Sequence, residues 1–357
     1  MSEIVLITNN PAPYREKVHE LIDQHFDGHY HVIYCAERES DRKWNFQHGT
    51  YKKEFLSAVN DGVIHNNPKI VRSLKKIDPD TVIIMGFYPS MLYAYLWATF
   101  KKKSIIVFTD GSLKSESYLT VIHQFVRKIV FKKAKAFLGP SNGSAALYKS
   151  YGIDKKKFFR TYLSVNNQSF FQTYLYEKKY DLMFSGQFIE RKMPFFFIEV
   201  AKKVKEQFGK CNVLILGSGP LKNRMLELLK KYEIEFYYPG YIRQEELPQY
   251  YSQSKLFLFP TQNDPWGVVA NEAMASGVPV ITCDRAGVAN DLVIDQENGY
   301  VLDLEVDTWV KYSIKLLTNS HLYEKFSQNS ISHVQKYNYA NAANGIIEAI
   351  EFSRSEK

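Results

Sequence analysis

The sequence predicts an α/β protein of two doubly wound parallel-sheet domains, and three observations carry that reading. Short apolar runs alternate with helix-length amphipathic segments along all 357 residues. The alternation breaks in a polar, irregular stretch around residues 165–179 and then begins again. The length also exceeds what one hydrophobic core usually supports.

The spacing predicts first-half strands at residues 4–8, 31–35, 81–85, 105–109, 136–139 and 159–163, with amphipathic helices at 16–25, 69–77 and 119–133 among them. After the break, strands are expected at 181–184, 213–216, 235–238, 256–259, 278–282 and 299–302. Apolar strands joined by helical crossovers form parallel sheets covered on both faces. The domains are therefore expected at residues 1–168 and 169–335, with a final segment, 336–357, that packs back on the first. Sheets of this kind bind ligands at the carboxyl ends of their strands, so the expected site is a cleft that the two domains face across.

Composition excludes several classes. Hydrophobic residues make up 45% and charged residues 24%, as in an ordinary folded protein rather than a disordered one. A net charge of +8 favours anionic partners. The basic residues are dispersed and no nucleic-acid-binding motif is present, so nucleic acid is not the expected partner. Cys35, Cys211 and Cys283 lie far apart without metal-ligand spacing, which reads as buried free thiols in a reducing cytoplasm. The opening residues lack the features of a signal peptide. The most membrane-like run, residues 89–100, is shorter than the ~20 apolar residues a spanning helix needs.

The densest chemical signal is residues 260–280. A strand ends at Pro260, a polar loop follows, Gly267 opens a helix, and Gly277 and Pro279 lead into the next strand. The free amides of Gly267, Val268 and Val269, with the helix dipole, suit a diphosphate. Asp264 precedes the helix and Glu272 lies one turn inside it. A carboxylate can accept two hydroxyl hydrogen bonds, the geometry that holds a sugar or ribose diol. For an isolated acid pair, a capping Asp264 and a solvated Glu272 would be the simpler account.

This acid–seven residues–acid segment resembles the signature of family 4 retaining glycosyltransferases, which have the GT-B fold of two Rossmann-like domains. Asp264-Pro265-Trp266-Gly267 is similar to the version found in bacterial polysaccharide transferases, where family members otherwise have Glu at the first acid. The resemblance implies that Asp264 binds the donor sugar's hydroxyls and Glu272 the nucleotide ribose. It places Lys192 on the lysine that neutralises the departing diphosphate, in a loop that includes Gly186. Gln187 stands where the family has arginine, a departure from its two-cation clamp, and Arg191 is the candidate replacement. The turn with Gly217, Gly219 and Pro220 would border the nucleotide, and Tyr241 and Ile242 would hold the base through main chain.

In the first half, Tyr14 and Arg15 follow a proline-stiffened turn that looks like the opening of bacterial polysaccharide transferases. Asp110 stands where many relatives have a histidine contacting the donor sugar, and Lys114 and Glu116 follow it. These residues are expected on the acceptor side, with Asp110 near the reacting sugar.

The resemblance implies transfer from a nucleotide sugar, a UDP-sugar by expectation, to a glycan or lipid-linked oligosaccharide in capsule or O-antigen assembly. It implies no metal and no further cofactor, since Lys192 and the helix amides would carry the diphosphate charge. A nucleotide-sugar epimerase of the same shape is the alternative. The basic, partly apolar segment 118–135 leaves two readings open: a core-facing helix with a solvated basic face, or a surface resting on an anionic membrane beside Lys101, Lys102 and Lys103. The second would put the protein on the inner face of the cell membrane.

Overall fold

The computed structural model describes residues 1–39, 48–60, 64–117, 119–172, 177–240 and 242–355. They form two compact units, residues 1–164 with 339–357, and residues 165–338. The division falls four residues before the expected one.

The first unit carries a seven-stranded sheet ordered Lys52–Phe55, Gly28–Tyr34, Ser2–Thr8, Thr81–Met85, Ser104–Phe108, Ala136–Gly139 and Phe158–Arg160. The second carries six strands, ordered Glu235–Tyr237, Asn212–Ser218, Tyr180–Gln187, Ser254–Phe259, Val280–Thr282 and Gly299–Val301. Neighbours pair in parallel throughout both sheets. In chain order the first sheet runs 3-2-1-4-5-6-7 and the second 3-2-1-4-5-6, so each has a switch point between its first and fourth strands.

The central strands are apolar for a physical reason. Residues 4–7 in one unit and 213–216 in the other are fully or almost fully buried, because helices cover both faces. Covering helices include Pro13–His25 and Pro89–Phe100 in the first unit and Pro194–Phe208 in the second. The edge strand Lys52–Phe55 escapes a hydrophobic-pattern reading because its residues, Lys-Lys-Glu-Phe, are those of a guarded sheet edge. The expected helix at 119–133 is Val121–Lys133, preceded by a separate short helix, Leu113–Ser117. Its apolar positions do not all face the core. Val130 and Phe131 are buried, whereas Val121, Ile122, Phe125 and Ile129 are exposed.

The last helix, Tyr339–Ser355, returns to the first unit, where Ala342, Ile346, Ala349 and Ile350 join the core formed by Val18, Ile22 and Phe137's neighbours Ala136 and Leu138. The three cysteines are free and buried. Among the described residues no helix is long and apolar enough to cross a membrane.

Candidate active site

Two loops at the carboxyl ends of the second sheet converge across its switch point. One follows Tyr180–Gln187, the sheet's first strand in the chain, and the other follows Ser254–Phe259, the fourth. The first loop folds into a 3-10 turn, Glu190–Lys192, closed by Met193 at φ 51°. That tight turn directs two successive cations toward the same acid. Lys192 Nζ donates to Asp264 Oδ2, and Arg191 Nη1 lies 3.7 Å from the same oxygen. Arg191 Nη1 also donates to the Asn263 carbonyl at 2.7 Å. The two loops are stitched by main chain as well, since Gln262 N and Thr261 Oγ1 both donate to the Arg191 carbonyl, at 2.9 and 3.0 Å.

Asp264 is almost fully buried. Its Oδ1 accepts Trp266 N at 3.1 Å. The Trp266 indole is buried against Tyr337 and donates Nε1 to Asn271 Oδ1 at 2.9 Å, pinning the loop to the helix behind it. Gly267 then starts the helix Val268–Ala275 at φ 102° and ψ 70°, a backbone that L residues rarely adopt. A Cβ there would also lie 2.3 Å from the Phe259 ring. No side chain caps the helix, so the amides at its start are open to a ligand.

Glu272 is buried within that helix. Tyr251 Oη lies 2.6 Å from Glu272 Oε2 and 2.8 Å from Ser185 Oγ. One phenolic proton serves the carboxylate, which leaves the Ser185 hydroxyl to donate to Tyr251. Burial pushes the Glu272 carboxyl up to about 7, partly countered by the Tyr251 hydrogen bond. The carboxylate thus keeps acceptor capacity and sits poised near neutral pH.

The remaining expected donor-side residues are distributed as follows. Gly186 and Gln187 end the strand Tyr180–Gln187, where Gln187 is exposed. Gly217 ends Asn212–Ser218, and Gly219 and Pro220 follow it toward the helix Lys222–Lys231. Ile242 is half-buried, and Tyr241 lies outside the described residues. Tyr251, Ser185 and Asn271 were not among the expected residues. They lie 21 residues, 87 residues and one residue from Glu272, and no spacing rule ties them to it.

In the first unit, Tyr14 is half-buried and Arg15 buried at the start of the helix Pro13–His25. Asp110 and Lys114 are exposed after the strand Ser104–Phe108. Glu116 is buried, and its carboxylate accepts from Arg127 Nη1 and from Tyr151 Oη. Its visible role is to tie three segments of that unit together. No group of three or more His, Cys, Asp or Glu side chains that could hold a metal ion occurs among the described residues.

The family model for glycosyl transferases group 1 matches residues 165–333, nearly the whole second unit. The chain is 23% identical over 300 residues to YtcC of Bacillus subtilis, a protein provisionally named a glycosyltransferase, covering 79% of this chain and 70% of that one. It is 22% identical over 253 residues to an uncharacterized 41.2 kDa protein in the cps region of Klebsiella pneumoniae, covering 66% and 68%. Several other relatives are matched over less than half of their own length. Among solved structures, Anabaena HepE in complex with UDP and glucose superposes with a TM-score of 0.75 at 12% identity, over 98% of this chain and 100% of that one.

Proposed function

We propose that this chain of GT-B fold is a glycosyltransferase that moves a hexose or N-acetylhexosamine from a UDP-sugar to a lipid-linked glycan, with retention, as family 4 enzymes do. The convergence of Lys192 and Arg191 on Asp264, beside an uncapped helix N-terminus and the buried Glu272, carries this reading. The second unit takes the donor. Helix amides and Lys192 receive the diphosphate, Asp264 orients the sugar hydroxyls, and the ionised Glu272 accepts from the ribose diol. The cationic loop does the work of the arginine absent at Gln187, so no metal ion is required.

The acceptor is received by the first unit. In front-side displacement the bond from the anomeric carbon to the diphosphate oxygen breaks. The acceptor oxygen bonds to the same face, and its proton passes to the leaving phosphate oxygen. Lys192 stabilises charge that grows on the leaving group, which is worth more in the reaction's transition state than in the bound donor. The uridine donor is supported by the UDP and glucose held by HepE, and capsule-type assembly by the Klebsiella relative's cps region. The epimerase alternative is not favoured, because the matching family model and YtcC carry glycosyltransferase names.

Membrane contact forms part of the proposal. On the helix Val121–Lys133, Val121, Ile122, Phe125 and Ile129 are 80%, 74%, 62% and 44% exposed. Helical geometry puts them on one stripe with the exposed Lys128 and Lys132 at its border. Tyr95 Oη donates to the Ile129 carbonyl at 3.3 Å, which joins this helix to Pro89–Phe100, whose Leu96 and Phe100 are also exposed. Apolar side chains rimmed by lysines suit an anionic lipid surface.

Calorimetry with UDP- and GDP-sugars tests the donor reading. One donor should bind wild type, and both Glu272→Ala and Lys192→Ala should lose it. Equal binding by the variants overturns the site. Sedimentation with phosphatidylglycerol vesicles tests the surface, where a Val121→Ser, Ile122→Ser, Phe125→Ser variant should stay in the supernatant.

A further inference from the structure

The first unit buries a cation that, among the described residues, has no ion-paired or hydrogen-bonded anion. Arg15 is the third residue of the helix Pro13–His25 and is only 7% exposed. Its guanidinium carbon stands 4.7 Å from the centroid of the Phe108 ring, at the carboxyl end of the strand Ser104–Phe108. Its Nε is buried without a hydrogen-bond partner. Among the described residues the side chain makes neither a hydrogen bond nor an ion pair. Asp110, Tyr14, Tyr30 and Tyr34 act on it only electrostatically.

An isolated buried charge is costly, and folded proteins ordinarily pair it. This unit follows that rule elsewhere. Arg127 is matched to Glu116, and Glu16 accepts from Tyr51 Oη at 2.9 Å and Gly49 N at 2.7 Å. The Phe108 face offsets part of the Arg15 charge but cannot accept a hydrogen bond from it. The helix that carries Arg15 begins at Ala12 with no side-chain cap, so its dipole adds to the positive potential. All of this lies at the carboxyl ends of the sheet's central strands, where doubly wound sheets bind ligands.

We propose that Arg15 and the start of this helix form an oxyanion site for a phosphate group of the acceptor, that is, for a diphosphate joining a lipid carrier to its glycan. The guanidinium supplies planar, paired donors that match a phosphate, and its cation is completed only when the acceptor arrives. The assignment to acceptor rests on the transferase reading, whereas the anion site stands on the geometry of the first unit alone. The substitution Arg15→Met keeps an unbranched apolar side chain at this position and removes the charge that stands over Phe108.

Thermal unfolding of the full chain, with and without inorganic pyrophosphate, tests the site in wild type, Arg15→Met, Lys192→Met and the double variant. Pyrophosphate should raise the melting temperature of Lys192→Met, in which the donor diphosphate site is disabled, and most of that rise should vanish when Arg15→Met is added. Without anion, Arg15→Met should melt no lower than wild type, because it deletes an unpaired charge. An undiminished rise in the double variant, or no rise in Lys192→Met, overturns the site. An alkyl diphosphate should bind at least about tenfold tighter than inorganic phosphate, and this preference should disappear in Arg15→Met. Equal affinity overturns the acceptor assignment. UDP binding that survives in Arg15→Met and is lost in Glu272→Ala keeps the donor reading intact whatever becomes of Arg15.

Discussion

The two sheets share one strand order, yet they treat charge at their carboxyl ends in opposite ways. In the second unit the cations are prewired. Lys192 and Arg191 close on Asp264, Asp264 holds Trp266 N, and Trp266 holds Asn271. In the first unit Glu116 is engaged by Arg127 and Tyr151, while Arg15 stands over an aromatic face without an ion pair among the described residues. A site whose parts hold one another is organised before its ligand arrives, which lowers the ordering cost of binding. A site left electrostatically incomplete is one that a ligand finishes.

The largest expected effect breaks the prewired side. Lys192→Met should lower kcat by about 10²–10³-fold, the usual loss when one preorganised charge on a reacting group is removed. It should leave Arg15-dependent anion binding in place. Steady-state kinetics against each substrate checks both halves of the statement.

Next comes the backbone that aims the helix. Gly267→Ala forces a side chain into φ 102° and against Phe259, and should destabilise the second unit by about 2–4 kcal/mol, read as a lower urea midpoint.

The buried acid gives an effect of similar or slightly smaller size with a pH signature. Because the folded state holds the Glu272 proton up to about 7, the fold binds more protons than the unfolded chain between the ordinary carboxyl value and 7. Stability is fully present below the unfolded value and is lost as pH rises through that window, by up to about 3 kcal/mol. Glu272→Gln should therefore melt higher than wild type at pH 8 and close to it at pH 4. Donor binding through the ionised carboxylate should strengthen from pH 6 to pH 8 in wild type.

The smallest effect belongs to the first unit. Tyr151→Phe removes one donor from Glu116 but leaves Arg127 on it, and should cost about 1 kcal/mol in chemical denaturation without changing donor affinity.

The same contrast explains what could be read from the sequence. The alternation of apolar runs and helices yields both sheets because it follows from burial on two faces. Asp264, Gly267 and Glu272 stand out because one loop and one helix carry them at short spacing. Lys192 was reachable only through a resemblance, and Arg191 was ambiguous because neighbouring side chains usually diverge. The 3-10 turn that closes at Met193, with φ 51°, brings both cations to one oxygen, and no periodicity announces such a turn. Tyr251 is out of reach for a different reason. Its partners Glu272 and Ser185 come from other elements, so only the folded sheet assembles the three. In the first unit, the exposure of Val121, Ile122 and Phe125 went against their apolar character, since hydropathy says what a side chain prefers and not whether a neighbour covers it.

The closing helix Tyr339–Ser355 also sets the order in which the molecule can be completed. Gly345 lies so close to the strand Phe158–Arg160 that a Cβ would stand 1.9 Å from the Arg160 carbonyl oxygen, and Thr161 Oγ1 donates to the Ala342 carbonyl at 2.9 Å. The first unit's core thus includes a segment that follows the whole second unit in the chain, while residues 165–338 are continuous. On a ribosome a core divided in this way closes only after the second unit has emerged between its two parts, so the undivided unit is free to fold first.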